Sequence, residues 1–205
     1  MAFHDDLALA VQGNGKIKGG AVRQMLLWLE TECDPEQLAN LRRALDGQDE
    51  DLNADLPAFG ILSSRWYPGA FFHAFCDELV EGMSRPEVQE LARLAGNTAL
   101  ERSLGMFHRV LLRRIASPNL HQKFAQRLWS AHFDTGQVDV ELPAPGRAIV
   151  RYREWTSHHR FICDMCTASD LVIYGAMGLK NVEVRQLSCI DDGASDCAHL
   201  VTWET

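Results

Sequence analysis

The sequence predicts an α+β fold: an N-terminal helical part, residues 1–135, packed on a C-terminal antiparallel sheet, residues 136–205. Three observations predict it. Apolar residues recur at helical spacing up to about Phe133 and then switch to alternation, period 3.6 giving way to period 2. The alternating stretches come in two pairs, one on each side of a single apolar helix. The order there is strand-strand-helix-strand-strand, which suits helices gathered on an antiparallel sheet. The 205 residues suit a single domain with a sizeable core.

Taken in order, Met1 to Gly20 reads as a loop or short strand, since Gly13, Gly15, Gly19 and Gly20 interrupt it. Val22, Met25, Leu26 and Leu29 align on one face of a helix from Ala21 to Cys33. Asp34 is a good N-cap, and Pro35 fits the first turn of a second helix, which ends near Leu45. Asp46 to Asp55 is an acidic loop. Pro57 to Pro68 is extended or turning, because the residue before a proline is pushed out of the helical region. A helix from Pro68 to Glu81 sets Phe71, Phe72 and Phe75 on one side. Ser84-x-x-Glu87 is a capping box for the next helix, which runs toward Arg114 with bends possible at Gly96 and Gly105. Ser117-Pro118 opens another, closed by Gly136.

The second part holds the stretch that organises the chain. Val138, Val140 and Leu142 alternate, Pro143 to Gly146 turns, and Ile149 to Trp155 alternates again. Arg160 to Met177 is apolar nearly all round, the mark of a buried helix, and Gly178 stops it. Val182 to Leu187 and Ala198 to Trp203 form a hairpin around Asp191-Asp192-Gly193. Cys163 and Cys166 lie on the helix at i, i+3, and Cys189 and Cys197 stand at the two feet of the hairpin loop.

Charge and composition exclude several classes. Net charge is −8 with no basic block, which argues against nucleic acid and against an anionic membrane surface. No apolar run reaches the roughly 20 residues of a spanning helix, and the N-terminus lacks a signal-peptide pattern. A cytoplasmic location is expected, where six cysteines read as thiols or metal ligands rather than disulfides.

Four features could form sites. Cys163, Cys166, Cys189 and Cys197 could hold a structural zinc ion, which takes tetrahedral thiolate and imidazole ligands, with His199 a possible replacement. They could equally be buried thiols, small hydrophobes in effect, or less readily a redox pair. Trp66, Tyr67, Phe71, Phe72 and Phe75, with Trp129, could line an apolar ligand pocket or simply fill the core. His158-His159-Arg160 could bind an anion at a helix start, though a solvated loop is the commoner reading. Arg109, Arg113 and Arg114 form an exposed face or a docking patch for an acidic partner. Catalysis is not expected: there is no Gly-x-Ser-x-Gly, His-Glu-x-x-His or phosphate loop.

Three stretches carry a resemblance: Ile61 to Pro68; Ser117-Pro118 with Leu128-Trp129 and Asp134-Thr135-Gly136; and Cys189 to Cys197, closing on Trp203. Together they make the chain resemble, over nearly its whole length, an uncharacterised family abundant in myxobacteria and related bacteria. The C-terminal part is similar, more distantly, to the 4-vinyl reductase domain, whose superfamily includes sensors of aromatic hydrocarbons, the TRAPP tethering subunits and haem-based nitric oxide sensors. The resemblance implies an α/β fold with a buried cavity and a tendency to dimerise. In the aromatic sensors zinc is held by a helix cysteine, a Glu and two hairpin cysteines; Cys163, Cys189 and Cys197 match, but Gln186 stands at the Glu position. The haem sensors use Tyr-x-Ser-x-Arg for the propionates; this chain lacks it, so haem is not expected.

The reading that results is a non-catalytic sensory or regulatory domain, a homodimer, binding a small apolar or amphipathic ligand and acting through a partner protein. The alternative is a ligand-free adaptor that dimerises through its helices.

Overall fold

In the structure, a computed structural model, residues 15–45, 52–53, 55–103 and 116–205 are described. Arg109, Arg113, Arg114 and Gly105 therefore lie outside the described residues, as do Met1 to Asn14 and most of the acidic loop.

The helices begin and end where side-chain chemistry dictates. The chain opens with β1 (Lys16–Lys18) and α1 (Gly19–Glu32), whose buried face is Val22, Met25, Leu26 and Leu29. In α2 (Pro35–Leu45) the Asp34 carboxylate accepts from the Glu36 and Gln37 amides at 2.9 Å, the N-cap bond that the sequence signals. A short 3-10 turn (Pro57–Gly60) and β2 (Trp66–Pro68) lead into α3 (Gly69–Val80) and α4 (Arg85–Ser103). Before α4 the capping box closes: the Ser84 amide donates to Glu87 at 2.8 Å. Ser117 caps α5 (Pro118–Ser130), accepting from the Leu120 amide at 3.2 Å.

Then come β3 (Gln137–Ala144), β4 (Arg147–Arg153), α6 (Arg160–Ala176), β5 (Glu183–Ser188) and β6 (Cys197–Thr202). The four strands form an antiparallel sheet of order β3-β4-β6-β5. Its inward positions are mostly apolar, with Val138, Val140, Ala148, Val150, Tyr152 and Val201 all buried; His199 on β6, opposite Val150, is the buried polar exception among them. A second sheet escapes sequence reasoning: β1 and β2 pair antiparallel, Ile17 opposite Tyr67, with a further bridge from Ile17 to Phe133. Three-residue strands leave no detectable alternation.

The 3-10 turn is also unforeseen. Ala58 and Phe59 both take left-handed φ, 54° and 53°, although neither is glycine. Burial over-determines them: the Ala58 amide donates to Glu30 at 2.7 Å and Phe59 packs on Phe75 at 6.2 Å.

α6 lies under the sheet and crosses α4 closely. A Cβ at Gly96 would stand 2.9 Å from the Met165 carbonyl oxygen and 3.1 Å from the Ala168 Cβ, so only glycine permits this approach. Buried Asp164 on α6 needs a partner and finds Arg85, which grips both of its oxygens. Gly178 follows α6 at φ +83°, the left-handed residue expected at a helix end. No helix among the described residues is long and apolar enough to cross a membrane.

Candidate functional site

Two sites lie against α6, one at its start and one beneath its middle.

The first is a thiol cluster. Cys163 projects from the first turns of α6, Cys189 ends β5 and leads into a 3-10 turn (Ile190–Asp192), and Cys197 begins β6. Gly193, in the left-handed region at φ +84°, reverses the chain so that the hairpin feet meet. All three sulfurs are fully buried, and His158 joins them from the β4–α6 junction at 3 % exposure. The four ligand atoms lie within 4.8 Å of one another. The Cys189 and Cys197 sulfurs are 3.8 Å apart, and Cys189 Sγ is 3.6 Å from His158 Nε2. A metal with bond lengths typical of zinc and tetrahedral angles sets sulfurs roughly 3.8 Å apart, and sulfur and imidazole nitrogen about 3.6 Å apart. Two edges of the cluster, both from Cys189, thus match a tetrahedral site.

Its surroundings also suit a metal. The Asp191 carboxylate lies 3.3 Å from His158 Nδ1, behind the nitrogen that faces the sulfurs, the usual arrangement behind a ligating imidazole. The Ile190 amide donates to Cys197 Sγ at 3.4 Å, and the Gln186 amide donates to Cys163 Sγ at 3.2 Å. Gln186 therefore serves the cluster as a donor to sulfur rather than as a ligand, which accounts for an amide at that position. Without metal the charges separate within the cluster. Thiol hydrogen bonds from Cys163 and Cys197, with His158, hold Cys189 far below the usual thiol range, while the same bonds push Cys163 up. Burial opposes protonation of His158, but Asp191 and the sulfurs outweigh it and raise the imidazole to about 11.

Of the four cysteines singled out in the sequence, the structure brings three together and places Cys166 elsewhere. One turn along α6 it faces away from the cluster into a cavity wall. His158 occupies the position that sequence reasoning gave to Cys166 or His199. The cluster His-His-Arg divides into three roles. His158 is buried in the thiol site; His159 caps α6 through Nδ1 and meets Asp77 through Nε2; Arg160 pairs with Asp192 at 2.7 Å. Neither a solvated loop nor an open anion site describes it.

The second site is a cavity. A half-open space of about 380 Å³ lies between α4, α5, β3, β4 and α6, lined mostly by apolar side chains with Trp129, Phe133 and Tyr152 among them. A smaller space of about 170 Å³ lies on the other side toward α1 and α3. The two share Leu100, His132, Phe133, Cys166 and Ser169 as a common wall. Trp129 anchors the larger space. Its indole donates to the Thr135 carbonyl at 2.7 Å, it stacks on Phe133 at 4.0 Å, and Gly136 leaves room for it, since a Cβ there would stand 2.8 Å from Nε1. The polar groups of the wall are His121, Tyr152, Ser169 and Asp170, with His132 at the rim; among the described residues no Lys or Arg lines it. Burial lowers the pKa of His121, whose Nδ1 lies 3.2 Å from the Tyr174 hydroxyl.

Of the aromatic residues expected to line a pocket, Trp129 lines the larger space and Phe72 the smaller. Tyr67, Phe71 and Phe75 pack into the core, Tyr67 stacked on Phe71 at 5.8 Å, and Trp66 lies on β2 under the Lys18 ammonium. What sequence reasoning missed is the buried pair between the two sites. Asp170 Oδ2 lies 2.8 Å from His199 Nδ1, both essentially unexposed. The signal was present: an aspartate on an otherwise apolar helix has to find a partner.

The chain matches no family model and no curated protein. Solved structures do resemble it. An H-NOX protein from S. oneidensis in the Fe(II)NO ligation state gives a TM-score of 0.64 at 12 % identity, covering 92 % of this chain and 100 % of that one. An Fe(II) unliganded H-NOX protein from K. algicida gives 0.62 at 12 % identity, covering 92 % and 97 %. A structure described as probing heme distortion in the H-NOX family gives 0.62 at 10 % identity, covering 92 % and 96 %. The chain has the fold of these haem nitric oxide sensor proteins. The narrower myxobacterial, 4-vinyl reductase and TRAPP likenesses find no support in these comparisons.

The expectation against haem is thereby corrected. Proteins for which heme and Fe(II) are named share this fold over almost the whole chain. That expectation rested on a missing Tyr-x-Ser-x-Arg and on the lack of a histidine marked in the sequence as an axial ligand, and the likeness to these structures runs against it.

Proposed function

We propose that this chain is a sensory domain that takes a small ligand into the cavity between α5, α6 and the sheet and reports occupancy to a partner protein. The observation that carries this is the cavity itself: about 380 Å³ of mostly apolar space with imidazole, phenol and carboxylate groups contributed by α5, β4 and α6. That volume lies within the range of small-molecule sites. A wall without Lys or Arg among its described residues selects a ligand whose buried body is uncharged and apolar.

Haem is the ligand class to which the fold points, and the donor set suits it. Trp129, Phe133 and Tyr152 offer flat apolar surfaces, and burial keeps the His121 imidazole neutral, the state in which it ligates iron. When bound, haem would supply an iron atom able to take a diatomic gas. The thiol cluster, in this reading, holds a soft divalent metal on Cys163, Cys189, Cys197 and His158 and ties the hairpin to the start of α6.

Expression with a haem precursor, followed by absorbance spectroscopy and native mass spectrometry, tests the proposal. The expected result is a Soret band that shifts on exposure to nitric oxide. Protein that retains no organic ligand, and that takes up neither hemin nor a neutral apolar probe, would overturn it.

A further inference from the structure

We propose that the thiol cluster and the cavity form one coupled unit, in which Asp170, His199 and Trp155 carry the occupancy of either site to the other. The inference deepens the proposed function and rests on its reading of the cavity as a ligand site.

Two short chains of contact join the sites. The first is polar. Tyr152 and Asp170 both line the cavity, and the Tyr152 hydroxyl lies 3.4 Å from Asp170 Oδ2. The same carboxylate oxygen meets His199 Nδ1 at 2.8 Å. On its other side, His199 Nε2 stands 3.9 Å from Cys163 Sγ and 3.1 Å from the Thr167 hydroxyl, which itself donates to the Cys163 carbonyl at 3.2 Å. The second is aromatic. His158 packs edge-on against Trp155, centroids 5.0 Å apart, and Trp155 packs edge-on against Trp129 at 4.8 Å. Two members of the cluster, Cys163 and His158, are thus each one residue or two from the cavity wall.

Burial makes these chains consequential. His199 is fully buried and Asp170 is 2 % exposed, so neither can exchange its partner for bulk water. A ligand that contacts Tyr152 or Asp170 changes what His199 is offered on one ring nitrogen and hence where the ring sits against Cys163. A metal that draws the four ligand atoms inward moves His158 against Trp155 and Cys163 away from or toward His199. Packed interiors transmit such shifts because they contain no slack. By thermodynamic reciprocity the factor by which metal changes ligand affinity equals the factor by which ligand changes metal affinity.

The test uses Cd(II) as the metal, followed by its thiolate charge-transfer absorbance, and N-phenyl-1-naphthylamine as a neutral fluorescent cavity probe. Probe affinity is measured on metal-free and Cd(II)-loaded protein, and Cd(II) affinity with and without saturating probe. The expected result is a change of about fivefold or more in each, equal in size, as coupling free energies of ordinary magnitude give. His199→Gln should bring the ratio within about twofold while both ligands still bind. Tyr152→Phe, which removes only a hydroxyl and keeps the ring, should reduce it in part and covers the case in which the His199 variant fails to fold. Independent binding of both ligands to the parent protein overturns the coupling alone. Failure of the probe to bind overturns the coupling, and only together with failure of hemin uptake does it overturn the proposed function as well; failure of Cd(II) to bind overturns the coupling and removes the cluster as a metal site.

Discussion

Cys163 and Cys166 stand one turn apart on the same helix, yet they belong to different regions of the molecule. Cys163 meets three other ligating side chains at the start of α6, where strand ends, a tight turn and a helix start converge. Cys166 lines both cavities, among mostly apolar side chains. The cluster region is dense and polar, with hydrogen bonds reaching its sulfurs. The cavity region is aromatic and mostly apolar. Sequence spacing made the two cysteines equivalent; the angle at which α6 meets the hairpin made them different. The lesson is that three residues along a helix keep roughly one face but shift the height by nearly a turn, about 4.5 Å, and a metal site tolerates no such shift.

The contrast can be broken at either end. The largest effect is expected on the cavity side. Trp129→Ala should cost about 3–5 kcal/mol, because it removes a buried indole that packs on Phe133 and Trp155. Urea unfolding followed by circular dichroism measures it, and a loss under about 1 kcal/mol would mean that Trp129 does not anchor the wall.

On the cluster side, Cys163→Ser should lower Cd(II) affinity by about 100-fold or more, since changes in groups that only orient a ligand already cost about 10–100-fold. Cys166→Ser should leave it within about twofold. Equal effects at the two positions would erase the distinction between them.

Smaller changes sharpen the boundary. Asp164→Asn unpairs Arg85 at the cluster end of α6, where the aspartate is 8 % and the arginine side chain 36 % exposed. Partial exposure screens the pair, so about 1–2 kcal/mol is expected in the same unfolding assay, with Cd(II) affinity nearly unchanged. At the cavity end, Gly178→Ala should cost about 1 kcal/mol from its left-handed backbone alone, since nothing lies within 4 Å of the added Cβ.

The smallest effect concerns pH. Burial lowers the folded-state pKa of His121 below its ordinary value of 6.5. The unfolded chain then binds the proton more readily, so the contribution to stability is whole above about pH 6.5 and is lost as pH falls toward the folded value. The melting temperature should decline below that point, and His121→Asn should flatten the decline. An unchanged slope would place the titration elsewhere.

Much of this architecture was legible in the chain. The change from helical to alternating periodicity near Gly136, the caps at Asp34, Ser84 and Ser117, and the stop at Gly178 are local chemistry. Local chemistry is written where it acts. The same holds for the hairpin, whose Asp191-Asp192-Gly193 turn needs no distant partner. The left-handed turn at Ala58 and Phe59 was not legible, because it contradicts local preference and is held only by Glu30 and Phe75 from other elements.

By itself the sequence determined the order of the helices and of the four strands of the larger sheet, the buried helix α6 and three of the four groups of the thiol cluster. Only the tertiary structure decided the fourth. His158 is drawn in because β4 and α6 meet at an angle that aims its imidazole at the hairpin feet, while the helical rise carries Cys166 past them. Only the tertiary structure decided, too, that Asp170 and His199, 29 residues apart, would face each other between a thiol cluster and a cavity. Burial imposes that pairing: a polar group removed from water has to find a hydrogen-bond partner, and which one it finds depends on what the fold sets beside it.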